Sequence, residues 1–295
     1  MPAFSTFMNY PSGAAAPASP SSFGARGIYD LPYVGEEHHV RLTDLFLPKS
    51  RRQKRPVILH VHGGAWTQTD RTYTRAFCAA LASGGFAVLT VDYANAEDAD
   101  LPMQVRDVLA AMRWVRSNAS IYGLDPNRVF LTGDSSGALL AMLAYIVGSS
   151  KTLRLIYGAD ETPVNVRAFG LVSPVTDLHF VTDSVLPAER KVRRQLFGEN
   201  FADSPYRYCC SVSDVLRPEM QLPPVYLASS EDDFFKRQST DLHHVLNRRS
   251  VENRLRFFPA AQDAPLGHGF AVLDPTRKES RTVIDEMLAF FRERI

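Results

Sequence analysis

Cysteine is scarce in this chain. Three residues in 295 (Cys78, Cys209 and Cys210) are an odd number, too few for a disulfide framework. Such usage suits a reducing compartment, and a cytoplasmic location is expected. No apolar stretch reaches the ~18 residues of a membrane span. The N-terminus lacks a basic segment followed by an apolar one, so no secretory leader is expected either. An excess of one charge is also missing: 33 Lys and Arg face 32 Asp and Glu, for a formal net charge of +1. That balance gives no electrostatic case for nucleic acid or an anionic membrane as partner. The densest cationic run, Arg51-Arg52-Gln53-Lys54-Arg55, lies between two strand-like segments and reads as a solvated turn. No internal repeat of fixed period occurs. What remains is of ordinary globular composition, 45% hydrophobic and 22% charged, and long enough for one α/β domain with a large core.

Residues 11–23 are rich in Pro, Ala and Ser and carry no charge, so residues 1–27 read as a flexible arm and 28–295 as the folded domain. Strands are expected at 38–47, 57–61, 86–91, 128–132, 167–172, 224–229 and 254–259, and helices at 71–83, 102–117, 136–148, 237–248 and 275–293. Most of the later strands are continuous apolar runs, as burial on both faces requires. Their alternation with helices predicts a mostly parallel central sheet with helices on both faces. The alternating pattern at 38–47 suggests an early antiparallel edge strand. The stretch 174–222 is too long for a plain connection between strands and is expected to be a small cap-like insertion.

Between the expected strand 128–132 and the helix 136–148 stands Gly133-Asp134-Ser135-Ser136-Gly137. In a strand–turn–helix, G-x-S-x-G reads as a nucleophile elbow that exposes the central serine hydroxyl on a strained turn. Ser135 is then the nucleophile, and it needs a base. His268, in Gly267-His268-Gly269-Phe270 after the last strand, is the candidate, and it comes last in the chain order Ser…Asp…His. A carboxylate is needed to fix its tautomer. Glu231, Asp232 and Asp233 offer three in a row after the strand at 224–229, and spacing alone leaves that choice open. His60-Val61-His62-Gly63-Gly64-Ala65-Trp66 follows another apolar strand. The N–H groups of Gly63 and Gly64, with that of Ser136, are expected to form an oxyanion hole. His60 and His62 raise the alternative of a metal site, but His38-His39 and His243-His244 supply no recognisable third ligand. No metal is expected; His62 reads as a brace for the glycine loop and His60 as a core residue. Trp66 is a candidate wall of the substrate pocket, with less weight on Phe180, Phe197, Phe201, Tyr206 and Tyr208 of the insertion.

The HGGAW stretch at 62–66, Val91-Asp92-Tyr93, GDSSG at 133–137, EDD at 231–233 and HGF at 268–270 occur in one order over nearly the whole chain from Ile28. Together they resemble the α/β-hydrolase carboxylesterases of the hormone-sensitive-lipase-like group. Tyr29-Asp30-Leu31-Pro32-Tyr33 and the LFGEN stretch at 196–200 look closer to bacterial esterases of the acetyl and feruloyl neighbourhood. The resemblance implies Asp233 as the acid, with Asp232 as runner-up. It also implies a serine carboxylester hydrolase acting on small to medium esters through an acyl-enzyme, with no cofactor. Departures include Ala94-Asn95-Ala96-Glu97-Asp98 after Asp-Tyr and Ala138 after the elbow, where the family often has glycine. The alternatives are an amide hydrolase such as an arylformamidase, which uses the same machinery, and a non-catalytic ligand-binding homologue. The sequence leaves acyl length, the alcohol moiety and oligomeric state open.

Overall fold

The apolar runs pair into a single sheet. In the computed structural model, which describes residues 19–34, 40–50, 54–66 and 70–295, the strands are β1 (Arg26–Val34), β2 (Arg41–Leu47), β3 (Arg55–Val61), β4 (Ala87–Val91), β5 (Leu124–Asp134), β6 (Val166–Val172), β7 (Val225–Ser230) and β8 (Asn253–Phe258). Their order is β1-β2-β4-β3-β5-β6-β7-β8. The first two pairings, β1 with β2 and β2 with β4, are antiparallel, and every later pairing is parallel. The early antiparallel strand is therefore present, but it is not the edge. The edge is β1, a strand the sequence reading did not anticipate. None of its residues is buried, four are exposed, and its register slips twice against β2, so it carries no long alternating pattern. Of the expected arm, residues 1–18 lie outside the described residues; from Ser19 a short 3-10 turn (Pro20–Phe23) leads into β1. His38, His39 and Arg51–Gln53 also lie outside them.

The connecting helices are α1 (Arg75–Ser83), α2 (Leu101–Ser117), α3 (Ala119–Tyr122), α4 (Ser135–Ser149), α5 (Lys151–Tyr157), α6 (His179–Thr182), α7 (Pro187–Phe197), α8 (Val212–Val215), α9 (Lys236–Arg248), α10 (Phe270–Leu273) and α11 (Lys278–Arg292). The alternation of each strand divides the core in two. Ile58, Val88 and Phe130 point into one cluster with Phe77, Val283 and Phe291 of α1 and α11. Val57, Leu59, Leu89 and Leu131 point into the other, with α2, α4 and α9. Helix α4 is apolar on all sides because it is enclosed; of its fifteen residues only Tyr145 and Ser149 reach the surface to any extent. No single helix among the described residues is long and apolar enough to cross a membrane. Helix α2 shows how local signals set the ends: Asp100 accepts the Met103 N–H at 2.9 Å, and Pro102 stands in the first turn, where its missing donor costs nothing. The stretch 174–222 carries α6, α7 and α8, of which α7 is strongly basic on its outer face.

The loops that leave the carboxyl ends of β3, β5, β6, β7 and β8 converge at one end of the sheet, where an open α/β sheet forms its binding crevice.

Candidate active site

The turn from β5 into α4 is held by two glycines that no other residue could replace. A Cβ on Gly133 would stand 2.6 Å from the Gly137 carbonyl oxygen and 2.7 Å from the Ala138 nitrogen. A Cβ on Gly137 would fall inside the carbonyls of Val61 and His62 on the neighbouring strand end. Between them Ser135 sits at φ 48°, a left-handed conformation that costs a non-glycine residue about 1–3 kcal/mol. Its carbonyl accepts the Val175 N–H at 3.0 Å, which ties the turn to the segment that follows β6.

From that turn the Ser135 Oγ reaches the Nε2 of His268 at 2.8 Å. The Nδ1 of His268 lies 2.9 Å from Asp233 Oδ1. The three residues are contributed by loops after β5, β7 and β8, and the chain brings them together across 133 residues. The three neighbouring acids separate cleanly. Asp233 reaches the imidazole, whereas Asp232 Oδ2 accepts the backbone N–H groups of Ala261 and Leu266 at 3.2 and 3.0 Å and so braces the loop that carries His268. Glu231 pairs with Lys236 at 2.6 Å. Burial works to raise the Asp233 carboxyl, but the charge and hydrogen bond of His268, the N–H of Phe235 and the Ser173 hydroxyl hold it below its ordinary value. Its second oxygen accepts the Ser229 hydroxyl at 3.1 Å.

Several supporting residues escaped the sequence reading. Ser173, at φ 46° after β6, accepts the Gly269 N–H at 3.0 Å and so holds the backbone beside His268. Phe234 stacks on the His268 ring at 4.6 Å, and Phe235 meets it edge-on at 5.6 Å. The signal for both was their position directly after Asp233. Of the aromatics expected from the insertion, Phe180 approaches the site by packing on Phe235 at 5.1 Å. Phe197 packs on Phe201, Tyr206 packs on Tyr157, and Tyr208 is exposed. Trp66, expected at the pocket, is 2% exposed and lies in the larger core cluster.

The oxyanion loop departs from expectation at one residue. The Gly63 N–H is donated to Asp134 Oδ1 at 2.9 Å, which engages the donor expected to face a substrate oxygen. Gly63 is glycine for a different reason: a Cβ there would meet Asp134 Oδ2 at 2.5 Å and the Ser135 Cβ at 3.0 Å. Beyond it, Gly64, Ala65 and Trp66 take φ values of 116°, 52° and 67°, a run of positive φ. The N–H groups of Gly64 and Ala65 have no acceptor among the described residues. The Ser136 N–H stands at the first turn of α4, where backbone donors and the helix dipole favour negative charge. The two imidazoles of the loop serve different partners. His62 stacks on Tyr93 at 4.4 Å and its Nδ1 donates to the Gly63 carbonyl at 2.7 Å, while burial holds the ring below its ordinary pKa and therefore neutral. His60 faces Thr132 and Asp134 inside the sheet.

Comparison with known proteins adds to this geometry. A family model described as BD-FAE matches residues 43–246. Esterase LipQ of Mycobacterium tuberculosis is 29% identical over 216 residues, which cover 69% of this chain and 48% of LipQ. The chain thus spans about half the length of that relative. Among solved structures, esterase B from Lactobacillus Rhamnosis superposes with a TM-score of 0.83 at 27% identity, covering 94% of this chain and 88% of that one. A second crystal structure of esterase B, inhibited by a C4-C4 SN3 tributyrin phosphonate, gives a TM-score of 0.82 at 28% identity over 96% and 88% of the two chains.

Proposed function

The chain belongs to the BD-FAE family and has the α/β-hydrolase fold, and from that premise we propose that it is a serine carboxylester hydrolase acting on small to medium esters. The observation that carries this reading is the pair of contacts at 2.8 and 2.9 Å that links Ser135 to His268 and His268 to Asp233. Ser135 Oγ attacks the ester carbonyl as His268 Nε2 takes its proton. The imidazolium so formed is stabilised by Asp233, which is charged and wholly enclosed. Negative charge on the former carbonyl oxygen is met by the N–H groups of Gly64, Ala65 and Ser136. Collapse of the tetrahedral intermediate breaks the C–O bond, and His268 returns its proton to the leaving alcohol. Water then repeats the sequence on the acyl-enzyme, releasing the acid and restoring Ser135. No step requires a cofactor.

The names of the relatives support ester substrates, and the tributyrin phosphonate held by esterase B supports short acyl chains. The three cysteines are free and buried, in keeping with a cytoplasmic setting. The test is turnover of p-nitrophenyl acetate and butyrate by the purified chain, with labelling by a fluorophosphonate probe. Ser135→Ala is expected to abolish both. An alanine variant as active as the parent, or N-formylkynurenine hydrolysed far faster than any ester, would overturn the reading.

A further inference from the structure

Beneath the elbow lie polar side chains that the reaction does not touch. Asp134, His60 and Thr132 are between 0 and 1% exposed. Asp134 Oδ1 accepts the Gly63 N–H at 2.9 Å and stands 3.3 Å from His60 Nε2. The other nitrogen of that ring, Nδ1, is 3.0 Å from Thr132 Oγ1, and the ring rests against Phe77 at 5.3 Å. A carboxylate with no solvent is expensive, and its remaining oxygen, Oδ2, has no hydrogen-bond partner among the described residues. An apolar residue at this position would avoid that cost, so the carboxylate calls for an explanation in what it holds.

What it holds is the first peptide of the oxyanion loop. The Gly63 N–H is fixed by Asp134, and the Gly63 carbonyl receives His62 Nδ1 at 2.7 Å, with the Tyr93 hydroxyl at 3.5 Å. With both ends of residue 63 fixed, the strained left-handed run from Gly64 to Trp66 has one direction in which to leave. Asp134 also immediately precedes Ser135, so one residue sets the spacing between the nucleophile and the loop that must stabilise the charge it creates. We propose that Asp134, with His60 packed beside it, is the positioning residue that aims the Gly64 and Ala65 N–H groups at the oxyanion. The proposal rests on the ester-hydrolase reading of the site. Its substrate is whatever ester Ser135 attacks, and its effect falls on the transition state rather than on substrate binding.

The experiment compares Asp134→Asn, Asp134→Leu and His60→Gln in kcat and KM for p-nitrophenyl butyrate. The second readout is the inhibition constant of a trifluoromethyl ketone, whose tetrahedral oxygen occupies the same hole. Asparagine retains an acceptor oxygen for the Gly63 N–H, so Asp134→Asn is expected to keep kcat within about tenfold. Asp134→Leu removes that acceptor and is expected to lower kcat by about 10²-fold, as loss of an oxyanion donor does. KM should stay within about threefold, and ketone binding should weaken in proportion to kcat. A leucine variant that melts cooperatively and keeps its kcat overturns the proposal. So does an asparagine variant as poor as leucine, or a fall in kcat with ketone binding intact. If Asp134→Leu does not fold, His60→Gln decides: a tenfold or larger loss confined to kcat is expected, and parental kcat overturns the proposal. Parental turnover abolished by Ser135→Ala establishes the hydrolase reading separately, so the two can fail independently.

Discussion

Replacing Asp233 by asparagine is a sharper probe of the site than removing it. The Asp233 Oδ1 that faces His268 also accepts the Phe235 N–H at 2.8 Å. If the amide turned its NH2 toward His268, that group would face two donors at once. The carbonyl oxygen therefore stays on that side, and the NH2 takes the place of Oδ2 beside the hydroxyls of Ser229 and Ser173, which can accept. The variant keeps the tautomer and loses the charge. A unit charge about 4 Å from the imidazolium is worth about 4 kcal/mol at an effective dielectric near 20, and the amide dipole replaces part of it. A loss of about 2–4 kcal/mol corresponds to a fall of about 30- to 1000-fold in kcat. Asp232→Asn leaves an oxygen for the Ala261 and Leu266 N–H groups, so its kcat should stay within about threefold of the parent. The pH dependence has a definite sign. Burial works to raise the Asp233 carboxyl, but contact with His268 leaves it below its ordinary value, so its contribution to stability is complete above the unfolded value near ~3.9 and is lost only as pH falls through the lower folded one. Steady-state rates with p-nitrophenyl butyrate from pH 4 to 9, alongside thermal melts extended down to pH 2, measure all of this. Equal losses in Asp232→Asn and Asp233→Asn would refute the assignment, as would more than about a third of parental kcat in Asp233→Asn. An Asp233 inflection near pH 6 would refute the charge argument.

Two perturbations test the scaffold. Gly137→Ala forces a Cβ into the carbonyls of Val61 and His62, main-chain atoms that cannot step aside, and should cost more than the ~1–3 kcal/mol of ordinary overpacking. Gly267→Ala, beside His268, meets nothing within 4 Å and has no positive φ, so it should melt no lower than the parent; the reverse ranking in a melt would discredit the reading of the elbow. Arg71 donates to Asp44 at 3.0 Å and also meets Asp92 and Asp30, while Arg75 Nε stays on Asp44 at 2.6 Å. Because Arg75 remains, Arg71→Met should cost about 3 kcal/mol, the low end for breaking a buried pair, and lower Tm by about 6–12 °C. An unchanged Tm would show that Asp44 needs no second cation.

Two members of the proposed triad, Ser135 and Asp233, were legible because each follows a strand end that is buried on both faces, and such strands leave few registers. Ser135 and Asp233 each stand within three residues of a strand end, whereas His268 lies in the longer loop between Phe258 and α10, so chain order and topology narrow where the three can meet. The choice among Glu231, Asp232 and Asp233 did not follow from spacing, because all three occupy one turn. What distinguishes them is which backbone N–H groups arrive from residues 261–266, a fact of tertiary packing. Strand β1 was missed for a local reason: Pro32 and two register slips break its alternation, and partial burial gives it no apolar stripe. Without β1, the strand expected at 38–47 looked like the edge.

The misassigned oxyanion donor is the more instructive case. Adjacent glycines correctly marked a loop that presents N–H groups, but glycine records only where a side chain does not fit. At Gly63 the space is taken by Asp134 and Ser135 themselves, 71 residues away in sequence, and the same crowding that demands glycine diverts its N–H into a carboxylate. A donor pointed at Asp134 is diverted from an oxyanion, so the hole proposed for this site lies one residue further on, at Gly64 and Ala65. Ala65 and Trp66 both occupy the left-handed region, at φ 52° and 67°, a conformation that costs a non-glycine residue about 1–3 kcal/mol. The loop needs its most permissive residues where it touches the elbow, and one step further on it needs only a peptide N–H that is aimed.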